Sequence, residues 1–191
     1  MSFASSISLK EIINENYLNS LDLSAEKKAC INIDQIEWSA GKEHYRLLAY
    51  ITEMFNNIKI LDIGTRYGES AICLSRNKSN KIITYDISNQ CVNMTPELFK
   101  INNIEFRHKD FRDDSEVKDA SIIFLDVDPH DGYKEKEMYE FIKANNFKGI
   151  LIVDDIILNE GMKQFWASIE KRKEDITSLG HWSGTGVVYF D

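Results

Sequence analysis

The segment ILDIGTRYGES, Ile60 to Ser70, constrains the chain most, because an apolar run closes on an acid and breaks at once into glycines before a helix-forming stretch. Ile58, Ile60, Leu61 and Ile63 read as a buried strand, and the chain must turn sharply to enter a helix near Gly68. Gly64 offers backbone angles, or a close approach to a ligand, that a β-carbon would forbid. In open α/β sheets such turns are where ligands bind. Spacing excludes two common ligands. A dinucleotide fingerprint needs G-x-G-x-x-G, but Arg66 stands in its middle position; a phosphate-cradling loop needs Gly-Lys-Ser/Thr, and no such tripeptide occurs. The loop suits a ligand without phosphates.

From this turn onward strands and helices alternate. Strands are predicted near Lys59 to Ile63, Ile82 to Asp86, Ile104 to His108, Ser121 to Asp126 and Gly149 to Asp154, with helices over Gly41 to Phe55 and Glu160 to Arg172. Alternation of this kind gives parallel strands with helical crossovers, a doubly wound α/β sheet with helices on both faces. The end differs: Ile176 to Trp182, Ser-Gly-Thr-Gly, then Val187 to Phe190 reads as an antiparallel β-hairpin. Residues 1–37 carry Leu9, Ile12, Ile13, Tyr17 and Leu21 at helical spacing and read as a helical extension, a lid or an interface, ahead of a main domain over residues 38–191. A homodimer through that extension is one expectation.

Composition narrows the partners. A formal charge of −8 disfavours nucleic acid, whose binding rests on basic surface. Lys171-Arg172-Lys173 reads as the cationic end of a helix. Cys30, Cys73 and Cys91 form no C-x-x-C pair and are odd in number, which indicates neither a disulfide framework nor a zinc site and fits a reduced, cytoplasmic setting. No apolar run is long enough to span a bilayer.

Four predicted strands end in or beside an aspartate, Asp62, Asp86, Asp126 and Asp154, and Asp110 follows a fifth. A parallel sheet brings these ends to one edge, so the carboxyl groups face one crevice and need a cation or hydrogen-bond donors to offset their repulsion. Asp86, about twenty residues past the glycine loop, is placed to accept the hydroxyls of a ribose. LDVDPHDGY and IVDDI put Asp126 at one strand end and Asp154 and Asp155 at the next. These hard oxygen donors suit Mg²⁺, with Ca²⁺ and Mn²⁺ as competitors, and disfavour zinc.

Asp62, Gly64, Gly68 and Ser70 resemble motif I of the class I S-adenosylmethionine (SAM) methyltransferases, and the terminal hairpin resembles the end of that family's seven-stranded, Rossmann-like sheet. The acid at Asp126 with the Asp154–Asp155 pair is similar to the divalent-metal site of the catechol and caffeoyl-CoA type O-methyltransferases, and WSAGKEHYRLL resembles that subgroup's entry helix. The resemblance covers Trp38 to Phe190. It implies SAM held by Asp62, Gly64, Thr65, Gly68 and Ser70 at the methionine part, Asp86 at the ribose, and Asp110 with Phe111 at the adenine. It implies a divalent cation, Mg²⁺, on Asp126, Asp154 and Asp155, and transfer to a hydroxyl oxygen of a small molecule. The family's lysine after the strand-four acid is absent; the segment is one residue longer and offers His130, an imidazole able to accept a proton at neutral pH. Asp-Pro-His-Asp-Gly is equally a turn sequence. No Asn/Asp-Pro-Pro-aromatic motif for a nucleobase acceptor is present. Two rivals stay open: a catalytically silent SAM-binding protein, and a metalloenzyme like the cephalosporin hydroxylases. Trp182 reads either as a wall of the acceptor pocket or as a packed hairpin aromatic, and Arg66 has no assigned role.

Overall fold

The computed structural model describes residues 8–30 and 33–191. Five parallel strands, β1 (Lys59–Ile63), β2 (Lys81–Asp86), β3 (Ile104–His108), β4 (Ile122–Leu125) and β5 (Gly149–Asp154), are followed by β6 (Lys173–Asp175) and β7 (Thr185–Phe190). They form one sheet in the order β3-β2-β1-β4-β5-β7-β6, with β7 antiparallel to both its neighbours. The order reverses between β1 and β4, whose parallel register pairs Ile63 with Leu125. The crevice of an open sheet lies at such a reversal, outside the carboxyl ends of the strands.

Side chains alternate between two cores. Ile60, Ile82, Ile122, Phe124, Ile150, Ile152 and Val187 belong to one cluster, and Leu61, Ile63, Ile83, Ile123, Leu125, Leu151, Val153 and Val188 to the other. Period-two alternation with both faces apolar is what a sheet covered by helices on each side requires. The first face takes α5 (Tyr45–Glu53) and α6 (Glu69–Leu74), through Leu47, Leu48, Ile51, Ile72 and Leu74. The second takes α8 (Tyr133–Ala144) and α9 (Glu160–Ser168), through Met138, Ile142, Met162 and Phe165. A short α7 (Gln90–Met94) follows β2. No helix among the described residues is long and apolar enough to cross a membrane.

Four short helices precede α5, namely α1 (Leu9–Ile12), α2 (Glu15–Ser20), α3 (Ser24–Ala29) and α4 (Ile33–Ile36). Their Leu9, Leu18, Leu21, Leu23 and Ile36 are buried in the first core with Leu47 and Ile72. The start of this segment is tied to the far strand: the Leu9 N–H donates to the Tyr189 hydroxyl at 2.8 Å, which donates to Glu174 Oε2 at 2.7 Å. Tyr189→Phe removes the acceptor from a buried amide and is expected to cost about 1–3 kcal/mol, read as a lower urea midpoint at unchanged slope.

Three boundaries differ from the sequence expectation. α5 begins at Tyr45, because Gly41 has φ +78° and lies against the Ser178 carbonyl, so the chain turns there. α9 stops at Ser168; Ile169 is extended, and the Lys173 ammonium donates to the Ile169 carbonyl at 2.8 Å from within β6, so the basic run does not extend the helix. The first hairpin strand is β6, not residues 176–182. Asp175 Oδ1 accepts from the Thr177 N–H at 2.9 Å and its hydroxyl at 2.6 Å, a local turn that ends the strand and opens a single 3₁₀ turn, Thr177–Leu179.

Candidate active site

Asp62, one residue before the end of β1, is fully buried. Its Oδ2 accepts from the Thr84 hydroxyl at 2.6 Å and the Ser70 hydroxyl at 3.1 Å, while Oδ1 has no hydrogen-bond partner. Burial pushes this carboxyl up to about 7, against the lowering effects of Thr84, Ser70 and His44. A buried carboxylate oxygen without a partner is costly unless a donor or cation reaches it.

The loop above it is built by backbone. Gly64 has φ +104°, and its N–H and that of Thr65 donate to the Tyr85 carbonyl at 2.9 and 3.1 Å. A β-carbon on Gly64 would lie 1.7 Å from the Asp126 carbonyl oxygen, so the loop rests directly on the start of the loop after β4. The Arg66 N–H donates to Asp86 Oδ2 at 2.7 Å and the Ser88 N–H to Asp86 Oδ1 at 2.8 Å. The Arg66 guanidinium lies over the Tyr67 ring, 5.1 Å from its centre. Asp110 is held bidentate by Arg112 at 2.7–3.1 Å, which keeps its pKa below the usual carboxylate value. Phe111 is 1% exposed and edge-packed on Phe141 and Tyr85. A cleft of about 410 Å³ runs from Gly64 and Asp86 past Asp110 and Phe111 to Asp126 and His130.

Behind Asp126 and His130, which line the other end of the cleft, lies a cluster of carboxylates and imidazoles. Asp154 is 3% exposed; its Oδ2 lies 3.1 Å from His181 Nδ1 and 3.2 Å from His44 Nδ1, and its Oδ1 accepts from the Thr185 hydroxyl at 3.3 Å. Asp155 Oδ2 lies 3.1 Å from His130 Nδ1, and Asp155 Oδ1 accepts from the Ser183 hydroxyl. His130 Nε2 faces Asp126 Oδ1 at 3.9 Å and Asp128 Oδ1 at 3.4 Å. Burial opposes protonation of His44 and His181, yet Asp154 with its acidic neighbours pushes their pKa values up to about 9 and about 10. Asp154, despite its burial, is held well below the carboxylate range by His44 and His181. Burial and the nearby Asp154 drive Asp126 the other way, well above that range. Among the described residues, five non-glycine residues have positive φ, and Arg66, His130 and Asp155 are three of them. Backbone strain of this kind concentrates where a structure holds functional groups in place.

No protein-family model matches this chain, and no curated protein does. Solved structures do. The O-methyltransferase TomG of Streptomyces achromogenes, in complex with SAM, aligns with a TM-score of 0.62 over 97% of this chain and 100% of that one, at 18% identity. A putative caffeoyl-CoA O-methyltransferase from Staphylococcus aureus aligns at 0.62 over 97% and 93%, at 15% identity. An O-methyltransferase from Bacillus cereus in complex with SAH aligns at 0.58 over 94% and 93%, at 18% identity. The chain has the class I methyltransferase fold.

The methyltransferase fold gathers the residues singled out from sequence into two groups along one sheet edge. Asp62, Gly64, Thr65, Gly68, Ser70 and Asp86 surround the glycine loop, with Asp110 and Phe111 across the cleft. Asp126, His130, Asp154 and Asp155 surround the end of β4 and β5. Three members were missed. Glu43-His44 at the start of α5 and His181 in the loop before β7 close on Asp154, so the donor set is not oxygen alone. The chain holds four histidines, and three of them meet here. That scarcity, and the placing of His181 at the mouth of the hairpin, was the available signal.

Proposed function

We propose that the protein is a SAM-dependent O-methyltransferase, moving a methyl group to a hydroxyl oxygen of a small molecule with the help of a divalent cation. The reading rests on one observation above all: a single cleft joins a glycine loop over a half-satisfied buried aspartate to a carboxylate–imidazole cluster. The fold shared with SAM- and SAH-bound methyltransferases supports it.

Each residue then has a task. Asp62 and Ser70 would hold the methionine part, whose positive charge would offset the Asp62 Oδ1 left without a partner. Asp86, fixed by two backbone N–H groups, keeps lone pairs for the ribose hydroxyls, and Asp110 marks the adenine edge. SAM supplies the electrophilic methyl group. A divalent cation on Asp126, Asp154 and Asp155 would acidify the acceptor hydroxyl. His130, with Nδ1 3.1 Å from Asp155 Oδ2 and Nε2 on the Asp126 side of the cleft, would remove the proton. The remainder of the rate comes from holding the oxygen behind the methyl carbon.

Titration calorimetry and a transfer assay with hydroxylated acceptors test this. Asp86→Ala is expected to weaken SAM binding about 100-fold, the loss of two charge-assisted hydrogen bonds in part replaced by water. His130→Ala is expected to lower kcat about 100-fold with SAM affinity intact. SAM binding that ignores Asp86→Ala would remove the cofactor assignment.

Asp62 adds a pH signature. Free, its carboxyl titrates near 7; occupied, a cationic neighbour keeps it ionised, so binding releases a proton. SAM affinity should rise about tenfold per pH unit below 7 and flatten above it, and binding enthalpies should differ between buffers of different ionisation enthalpy. The free protein has the opposite slope. Its folded pKa lies above the unfolded 3.8, so the native state binds more protons between 3.8 and 7 and stability falls with rising pH, on the order of 4 kcal/mol in full. Asp62→Asn should abolish both slopes.

A further inference from the structure

We infer that the free edge of the sheet at β3 is a homodimer interface, where a second copy of this chain adds its own β3 antiparallel about a twofold axis through Phe106. Residues Ile104 to His108 lie outside the lining of the proposed catalytic cleft.

The sheet has two edges, and they are built differently. β6 is three residues, Lys-Glu-Asp, and the start of α1 lies across it: the Lys10 N–H donates to Glu174 Oε2 at 3.3 Å and the Lys10 ammonium to the Asp175 carbonyl at 3.2 Å. A short, polar, covered strand offers no template. β3 is five residues, Ile-Glu-Phe-Arg-His, with β2 on one side and, among the described residues, no strand on the other. The Ile82 N–H donates to the Asn103 carbonyl at 2.8 Å, and Ile82 is in register with Ile104. In a parallel ladder that phase turns the N–H and C=O groups of Phe106 and His108 away from β2, toward the open side. Ile104 turns its carbonyl the same way, while its N–H donates to the Ile101 carbonyl at 3.0 Å.

The side chains select a second copy as the occupant. With Phe106 opposite Phe106 of that copy, Ile104 stands across from His108 and Glu105 across from Arg107. Glu105 and Arg107 then occupy the non-hydrogen-bonded pairs, where opposed side chains come closest, and the match of opposite charges repeats on both sides of the axis. Arg107 is presented for this in a fixed position by Asp114 and Glu116, at 2.6 and 3.0 Å. The other face of the strand is apolar. Phe99 is 49% exposed and packs edge-on against Phe106, with ring centres 5.9 Å apart, and the Phe106 ring stacks on His108. Twofold pairing brings these aromatic groups together and takes them out of water. In the N-terminal helices Leu9, Leu18, Leu21 and Leu23 are already spent on the first core, which favours the β3 edge over that extension as the dimer contact.

Sedimentation equilibrium of the full chain tests the interface. Five residues a side make a small contact, so a monomer–dimer equilibrium with Kd on the order of 10 µM is expected. Glu105→Arg sets Arg against Arg107 across the axis and should weaken the dimer at least about tenfold, with far-ultraviolet dichroism reporting that the variant is folded. Cysteine pairing reads the register. Cys30, Cys73 and Cys91 are buried, so introduced thiols report alone. Ile104→Cys and His108→Cys proteins should stay unlinked when oxidised separately and form a disulfide-linked dimer when mixed. Opposed residues stand about 5.5 Å apart at Cα, within disulfide range, whereas each residue is about 14 Å from its own copy. Where Glu105→Arg does not fold, the cysteine pair decides alone. A chain that stays monomeric at about 200 µM, a dimer of unchanged Kd in folded Glu105→Arg, or cysteine variants that link to themselves or fail to link when mixed would each overturn the β3 interface.

Discussion

Gly64→Ala is expected to cost about 2–5 kcal/mol of folding stability and to abolish measurable SAM binding. The added carbon would lie 1.7 Å from the Asp126 carbonyl oxygen and 2.9 Å from its carbon, and backbone cannot rotate away as a side chain would. Overpacking of that kind costs about 1–3 kcal/mol, and a β-carbon at φ +104° adds roughly 1–2 kcal/mol of left-handed strain. Relief must come from parting the end of β1 from the end of β4, whose contact is closed by the Asp126 N–H donating to the Ile63 carbonyl at 3.0 Å. The same movement displaces the glycine loop, proposed to hold the cofactor, and the first carboxylate of the cluster together. Gly68→Ala is the control. There the nearest atom is Leu98 Cδ1 at 3.1 Å, the end of a flexible side chain, so only the strain at φ +93° remains and about 1–2 kcal/mol is lost. Urea midpoints and SAM calorimetry on both variants decide it: a Gly64→Ala protein that unfolds with the wild type and still binds SAM would show that the two sites do not share this contact.

The parts of the fold that could be read from sequence are those whose signal is local. Runs such as Ile60 to Ile63 and Ile150 to Val153 are apolar on both faces because helices cover both, and a parallel interior strand leaves that signature without any neighbour being known. β6 leaves none. It is three residues, Lys-Glu-Asp, on an edge that is half exposed, so its first-strand role was assigned instead to the β-prone residues 176–182, which a turn at Asp175 removes from the sheet. The strand-end aspartates were legible for a topological reason: parallel strands must bring their carboxyl ends to one edge, so sequence position alone places Asp62, Asp86, Asp126 and Asp154 there. His44 and His181 were not. They arrive from the start of α5 and from the loop before β7, and only the closing of the antiparallel end of the sheet against α5 makes them neighbours of Asp154. The contact between His130 and Asp155 depends likewise on positive φ at both residues, which no composition signal announces.

Asp154→Ala should be the most damaging single change to the cluster, because two imidazoles and the Thr185 hydroxyl converge on Asp154, which at 3% exposure is more deeply buried than Asp155 at 6%. Truncating one partner of a buried ionic group leaves the others uncompensated, at a cost of about 3–5 kcal/mol. Here His44 is 4% exposed and would be left with Glu43 at 3.2 Å and Asp126 within 4.8 Å. His181 keeps Ser183 and Asp155, so the penalty falls mainly on the α5 side. A double-mutant cycle separates the terms. If His44 is placed by Asp154, the cost of Asp154→Ala in a His44→Phe background, where the ring stays against Tyr45 and Phe124 without a nitrogen to satisfy, should shrink by at least 1 kcal/mol; additive costs would mean that the two side chains do not interact. The metal-dependent part appears as a shift on addition of Mg²⁺ or Mn²⁺, since an ion bound only by the folded state stabilises by RT ln(1 + [L]/Kd), about 2.7 kcal/mol at a hundredfold excess over Kd. The wild type should gain that increment, and Asp154→Ala should gain none. Methyl transfer should fall at least 1,000-fold in the variant with SAM affinity within about threefold of wild type, because the proposed cofactor contacts lie at the glycine-loop end of the cleft, around Gly64 and Asp86.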